Sequence, residues 1–418
     1  MRRQLIAAGL AVVLAGAAAA GLAACREDKP AASAGSGVTR EPCPDAVDRA
    51  KGCIYLGFIS DLRNPDAAAF TDAQQRFWNR VNRAGGIGGY EIDAVTYVRD
   101  NHNDTPTHVR AYRDIRGKVL ALGQTMGTAT TAAVITDMRA DDMVAVPASR
   151  TSGWGFEPTV LESGASYCVE AVNAVDYARS TGPVRSVMAI HLPGDYGDDN
   201  AAGVKASAAA NGMTFINIKT DPGAERQTGA VDAILARRPD LVVLAVNPEE
   251  TEVIVRGAAD GGFTGRIIGA GPSWDPELLR GPGAPALRAL YLQSAPWAPW
   301  SADTPGHRAM REALGTMAPH EGQVAGWVSS YPLKAALVEA VRAAAAAGGQ
   351  PTRAGLVRAA RDQGAVDYDG MLPAGGGQSM ILSPATGSGV AEVPVVRDFF
   401  AGPTLTGFTP DRPCFQEL

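Results

Sequence analysis

Five helix starts share one pattern, a capping residue followed by proline: Asn64-Pro65, Thr105-Pro106, Asn247-Pro248, Asp275-Pro276 and Thr304-Pro305. Several follow directly on a strand-like run. A helix N-terminus so placed offers free N–H groups to an anion such as a carboxylate. Loops at 60–64, 123–128, 148–152, 193–198, 247–250 and 270–275 add small hydroxyls, amides, a few acids and aromatics. That inventory suits reversible binding of a small polar molecule. Covalent chemistry has less to work with. The chain has five histidines, and His102 and His108 are too awkwardly spaced to share a metal. No Gly-x-Ser-x-Gly, His-Glu-x-x-His or Walker motif occurs. Gly85-Gly86-Ile87-Gly88-Gly89 precedes a strand instead of joining strand to helix, so it reads as a helix stop and turn. No enzyme activity, cofactor or metal is expected.

The elements that must position these loops alternate. Residues 53–60 form a short buried-type strand. A helix follows from Pro65, with Phe70, Phe77, Trp78 and Val81 at helical spacing. Strands are expected at 90–98, 118–122 and 143–146, with helices from Thr105 and over 128–139. After an irregular stretch at 150–183, the alternation restarts with strand 184–191. Helix 198–211, strand 212–218, helix 226–237, strand 240–246, helix 248–261 and strand 266–270 continue it. Strands separated by helices of this length imply βαβ units and parallel sheets. The restart implies two α/β lobes, with the carboxyl ends of their strands forming a cleft. The remainder has a strand at 289–294 and helices at 304–317, 323–347 and 352–362. It is too helical for a third lobe and more naturally completes the first two, so the chain crosses between them more than once.

Composition is consistent with this. The 418 residues are 46% hydrophobic and 20% charged, which is globular, and the formal charge of −6 argues against nucleic acid as a partner. Arg2 and Arg3 precede an apolar run, so residues 1–24 read as an export signal. It ends Leu22-Ala23-Ala24-Cys25, which resembles the bacterial lipobox, and lipid on Cys25 would anchor the protein to the outer face of the cell membrane. Residues 25–42 read as a flexible tether with a reach of about 20–25 Å. Four further cysteines in an exported chain suggest two disulfides. Three pairings are open; the near neighbours Cys43 and Cys53 are taken together, which leaves Cys168 with Cys414.

The chain resembles the type I periplasmic binding proteins of the branched-chain amino acid receptor group, the solute-binding subunits of ABC transporters. The resemblance rests on Trp78-Asn79-Arg80-Val81-Asn82-Arg83-Ala84-Gly85-Gly86-Ile87 with the following strand and Asp100, and on Gly123-Gln124-Thr125-Met126-Gly127-Thr128. Pro147-Ala148-Ser149-Arg150-Thr151 and Asp195-Tyr196-Gly197-Asp198 extend it. Tyr331-Pro332-Leu333-Lys334-Ala335-Ala336 departs from it, since Pro332 replaces a helix former. The resemblance implies two Rossmann-like lobes joined by a three-crossover hinge, one of 43–167 plus 295–385 and one of 168–294 plus 386–418. It implies a carboxylate site at Gln124, Thr125, Met126, Ser149 and Thr151, with Tyr196 reaching in from the second lobe. It also implies an amine held by Asp275, which reads equally as a helix cap, as does Asn247. Arg150 would either add a salt bridge to an anionic ligand or face solvent; solvent is the expectation. Trp154 and Phe156 either cover the cleft or pack the lobe, and packing is expected. The implied role is that of a monomer passing a small amino acid, amide or carboxylate to an ABC permease. A ligand-sensing or envelope-regulatory lipoprotein is the alternative.

Overall fold

The computed structural model describes residues 37–372, 380–384 and 390–393. The export signal, Cys25, most of the tether and Cys414 lie outside the described residues.

The first lobe begins β1 (Val38–Thr39), β2 (Gly52–Ser60), α1 (Pro65–Arg83), β3 (Tyr90–Asp100), α2 (Thr105–Ile115) and β4 (Ala121–Thr125). It continues α3 (Thr128–Ala132), α4 (Ile135–Ala140) and β5 (Ala145–Pro147). β2 pairs in parallel with β3 and β4, β5 lies beyond β4, and short β1 runs antiparallel to β2. The second lobe holds α5 (Tyr167–Ser180), β6 (Ser186–His191), α6 (Asp195–Ala210), β7 (Thr214–Lys219), α7 (Thr228–Arg237) and β8 (Leu241–Ala245). Next come α8 (Pro248–Asp260), β9 (Arg266–Gly269), α9 (Ala284–Leu290) and β10 (Tyr291–Ala295). Its parallel strands stand in the order β10-β9-β8-β6-β7. The chain then returns to the first lobe for α10 (Pro305–Leu314), α11 (Glu321–Ala346) and α12 (Arg353–Arg361), and ends in the second sheet with β11 (Met380–Pro384) and β12 (Val390–Val393).

Each lobe has its own core. In the first, Phe77 on α1 sets its ring edge-on to Trp78, Trp327 and Tyr331 at centroid distances of 5.1–5.3 Å. α11 packs tightly on α1 because Gly326 has no side chain: a Cβ there would stand 2.2 Å from the Phe70 carbonyl. The helix runs through Pro332, whose carbonyl accepts from Gln363 Nε2 at 2.8 Å. In the second lobe, Ile190, Leu244, Ile254, Phe263 and Ile267 pack with Trp274 and Tyr291.

The chain crosses between the lobes three times, after β5, after β10 and after α12. The crossings are tied together. Gly164, at φ 79°, packs on Pro296, the Ser163 hydroxyl meets that of Tyr368 at 3.3 Å, and Ala298 N donates to Met371 O at 3.0 Å.

Three expectations change. The stretch at 150–183 contains α5, capped by Ser166 Oγ on Val169 N at 3.3 Å. α5 is buried on nearly every side, so its sequence shows no apolar face. The segment 380–384, expected in the first lobe, pairs antiparallel with β10 in the second sheet. Finally, β4 ends at Thr125 and not at Leu122, which reorients the residues expected to hold the ligand.

Cys43 is disulfide-bonded to Cys53. Cys168 is buried and also disulfide-bonded; its expected partner Cys414 lies outside the described residues. Among the described residues, no helix is long and apolar enough to cross a membrane.

Candidate ligand cleft between the lobes

A cleft of about 600 Å³ lies between the lobes. The first lobe lines it with the start of α1 (Asn64, Asp66, Ala67, Phe70), with Met126, Ala148 and Arg150, and with the start of α11 (His320, Glu321, Gly322, Ala325). The second lobe contributes Tyr167, Gln293, Ala295, the start of α8 (Asn247, Pro248, Glu249) and the loop after β9 (Gly271, Pro272, Trp274, Asp275). Pro296, Trp297 and Pro299 on the second crossing complete it. The walls therefore combine aromatic and aliphatic side chains with amides and charged groups.

Of the residues expected to bind a ligand, Met126, Asn247 and Asp275 line this cleft. Gln124 and Thr125 do not. They are the last residues of a strand, and both are fully buried. Gln124 accepts from the Thr71 hydroxyl at 2.7 Å and donates to Ser60 Oγ at 3.0 Å. Thr125 Oγ1 meets Thr131 Oγ1 at 2.8 Å and His108 Nε2 at 3.2 Å. His108 is buried, and burial lowers its pKa to about 4. Ser149 Oγ accepts from Thr128 and from the Trp154 indole, and Thr151 is buried; neither lines the cleft. Trp154 packs in the first lobe, while the Phe156 side chain lies outside the described residues. Tyr196 points inward too: its hydroxyl meets Ser273 Oγ at 3.0 Å and Val246 O at 3.3 Å. Its ring packs edge-on to Tyr167, and burial raises its pKa.

Arg150 is the largest revision. Its side chain is 11% exposed and Nη2 bonds Glu170 at 2.7 Å, on a carboxylate that is fully buried. The guanidinium lies over the Tyr167 and Trp297 rings at 5.0 and 4.8 Å from their centroids. Solvent could not be its destination, because the unpaired Glu170 charge would be too costly in the interior. Glu170 also accepts from Gly271 N at 2.6 Å, so the pair fixes the loop that carries Trp274. Burial raises the Glu170 pKa, and Arg150 opposes the rise.

The lobes touch beside the cleft. Thr128 donates to Asp195 of α6, and Ser152 N donates to Asp199 at 3.0 Å. Burial raises the Asp199 pKa to about 6. Spacing could not reveal Glu321 or Trp297 as cleft residues: one opens a helix that follows no strand, and the other lies on a crossing segment. Among the described residues, one group presents three ligand atoms suitable for a metal, Asp61, Asp100 and His102. None of the three lines the cleft, and His102 Nδ1 and Asp100 are already 2.9 Å apart.

Two α/β lobes, three crossings and a cleft between strand ends define a clamp for small solutes. The chain matches the periplasmic binding protein family over residues 54–397 and belongs to that family. The fatty acid ABC transporter substrate-binding protein from Thermomonospora curvata is 26% identical, with a TM-score of 0.73 over 86% of this chain and 94% of that one. A branched-chain amino acid ABC transporter protein from Thermus thermophilus, with bound valine, superimposes with a TM-score of 0.72 at 16% identity, over 82% of this chain and 96% of that one. A substrate-binding periplasmic protein from Ralstonia solanacearum gives 0.66 at 22% identity, over 81% of this chain and all of that one. No curated protein matches the chain.

Proposed function

We propose that this protein captures a small organic solute with a substantial apolar part in the cleft between its lobes and hands it to an ABC permease. The observation that carries this reading is the lining: Phe70, Met126, Trp274 and Trp297 come from both lobes and the segment joining them. A ligand touching both lobes stabilises the closed form in proportion to its differential affinity. Fatty acid and valine, which the names of two relatives carry, each have an apolar part, in keeping with these walls. The small polar solute expected from the sequence, an amino acid, amide or carboxylate, fits them best where it carries an apolar part. Asn247 and Asp275 remain candidate polar contacts.

The test is a thermal-shift screen of the body from Arg26 onward, paired with small-angle scattering. A ligand at 100 times its dissociation constant adds about 2.7 kcal/mol of stability. The expected result is a shift accompanied by a smaller radius of gyration. A shift without compaction would remove closure from the mechanism.

Membrane attachment through lipid on Cys25 is part of the same proposal. Cys25→Ser should move the protein from the membrane fraction to the soluble fraction, as read by fractionation and blotting. Retention on membranes would reject lipidation at that cysteine.

A further inference from the structure

The relatives' names point to carboxylate-bearing cargo, but the charges in this cleft point elsewhere. Several of the donors that an anion could use are already engaged. Asn64 Oδ1 takes the first N–H groups of α1, from Asp66 and Ala67. Glu250 accepts from Asn247 N at the start of α8 at 2.8 Å, and His320 Nδ1 accepts from Gly322 N at the start of α11 at 3.0 Å. Asp275 Oδ1 accepts from Glu277 N at 2.7 Å. Arg150 is held by Glu170 and by the Ala165 carbonyl. These groups thus have partners within the protein, and the Arg150 charge is already matched by Glu170.

Asp66, Glu249, Asp275 and Glu321 all line the cleft. Glu321 comes from the first lobe and Asp275 from the second, and the Asp275 charge acts on Glu321. Glu321 has one weak protein donor, Trp300 N at 3.4 Å. Two carboxylates that line one cleft from opposite lobes repel when both ionise, and a positive group between them removes that cost. Nearby aromatic rings favour the same charge.

Resting on the solute-clamp reading above, we infer that the ligand is an organic cation, an amine with an apolar body, whose charged end sits between Asp275 and Glu321. Closing the lobes brings the two carboxylates to the same ammonium group. The other charged or titratable groups around it are His320 and Asp66, which pair at 3.2 Å, together with Glu249, Tyr167 and the Arg150–Glu170 pair.

Burial, and after it Asp275, raise the Glu321 pKa to about 7. An ammonium ion binds the ionised form, so below that pH each ligand bound must displace a proton. Affinity for an amine should be flat above about pH 8 and fall by up to tenfold per pH unit below about 7.

The experiment uses matched probes: isopentylamine, phenethylamine and tryptamine against isovalerate, 3-phenylpropanoate and indole-3-propionate, with leucine and isovaleramide as zwitterion and neutral. Binding is read by calorimetry on the body from Arg26 at pH 8 and pH 6. At least one amine should bind ten times more tightly than its matching acid at pH 8 and weaken at pH 6. Glu321→Gln should cost that amine about tenfold and reduce the pH dependence. Asp275→Asn, which keeps the helix cap, should also weaken it, and supplies the test if E321Q does not fold. If no amine exceeds its matching acid, the cation assignment is overturned. Binding of acids, leucine or the amide would then leave the clamp intact, whereas a panel with no binder of any charge would remove both.

Discussion

Replacing Arg150 by Met should lower the unfolding free energy by about 3–5 kcal/mol in urea titration at pH 7. The cause is Glu170, fully buried on α5 and left without its counter-charge once the 2.7 Å bond is gone. The sign of the pH dependence follows. Burial already raises the Glu170 pKa against the pull of Arg150, and without Arg150 the rise is larger. A carboxyl with a folded pKa above its unfolded value of about 4.3 stabilises the fold at low pH, and that contribution is lost as pH climbs through the folded pKa. The gap between wild type and R150M should therefore be small near pH 4 and widen towards pH 8. Adding Glu170→Gln removes the stranded charge and still offers an oxygen to Gly271 N, so the double variant should recover most of the loss. Equal destabilisation at every pH would show that Arg150 acts through packing on Tyr167 and Trp297 instead of through charge.

Removal of the Cys43–Cys53 bond should cost about 2.5–3 kcal/mol. The two cysteines stand ten positions apart, and a loop of that size restricts the unfolded chain by roughly this amount. The measurement is urea unfolding of the C43A/C53A variant, which avoids leaving a reactive thiol. The segment it closes has a second attachment: Glu91 accepts from Val47 N and Asp48 N, both at 2.8 Å. A loss well below 1 kcal/mol would mean that this carboxylate alone keeps the segment in place.

Much of the architecture was legible because periodicity and caps are local. Asn64-Pro65, Asn247-Pro248 and Thr304-Pro305 each start a helix, and the two parallel sheets follow from the alternation. α5 was not legible, since burial on nearly all sides erases the periodic signal. The site was harder. A strand end misjudged by three residues turned Gln124 and Thr125 from expected ligand contacts into interior hydrogen-bonding groups. Arg150 and Glu170 are twenty residues apart and in different lobes, and no local pattern announces their pairing. Met126, Asn247 and Asp275 line the cleft as expected of loop residues, because each stands where a strand or turn runs out into it.

The three connecting segments, tied to one another at Gly164–Pro296, Ser163–Tyr368 and Ala298–Met371, bear on the thermodynamics of capture. A pair of independent straps would allow the lobes to twist as well as bend. Three bonded straps leave essentially one soft coordinate. An open form confined in this way occupies few arrangements, so shutting it forfeits little conformational entropy. Contact energy from the solute then goes into retention instead of into ordering the protein.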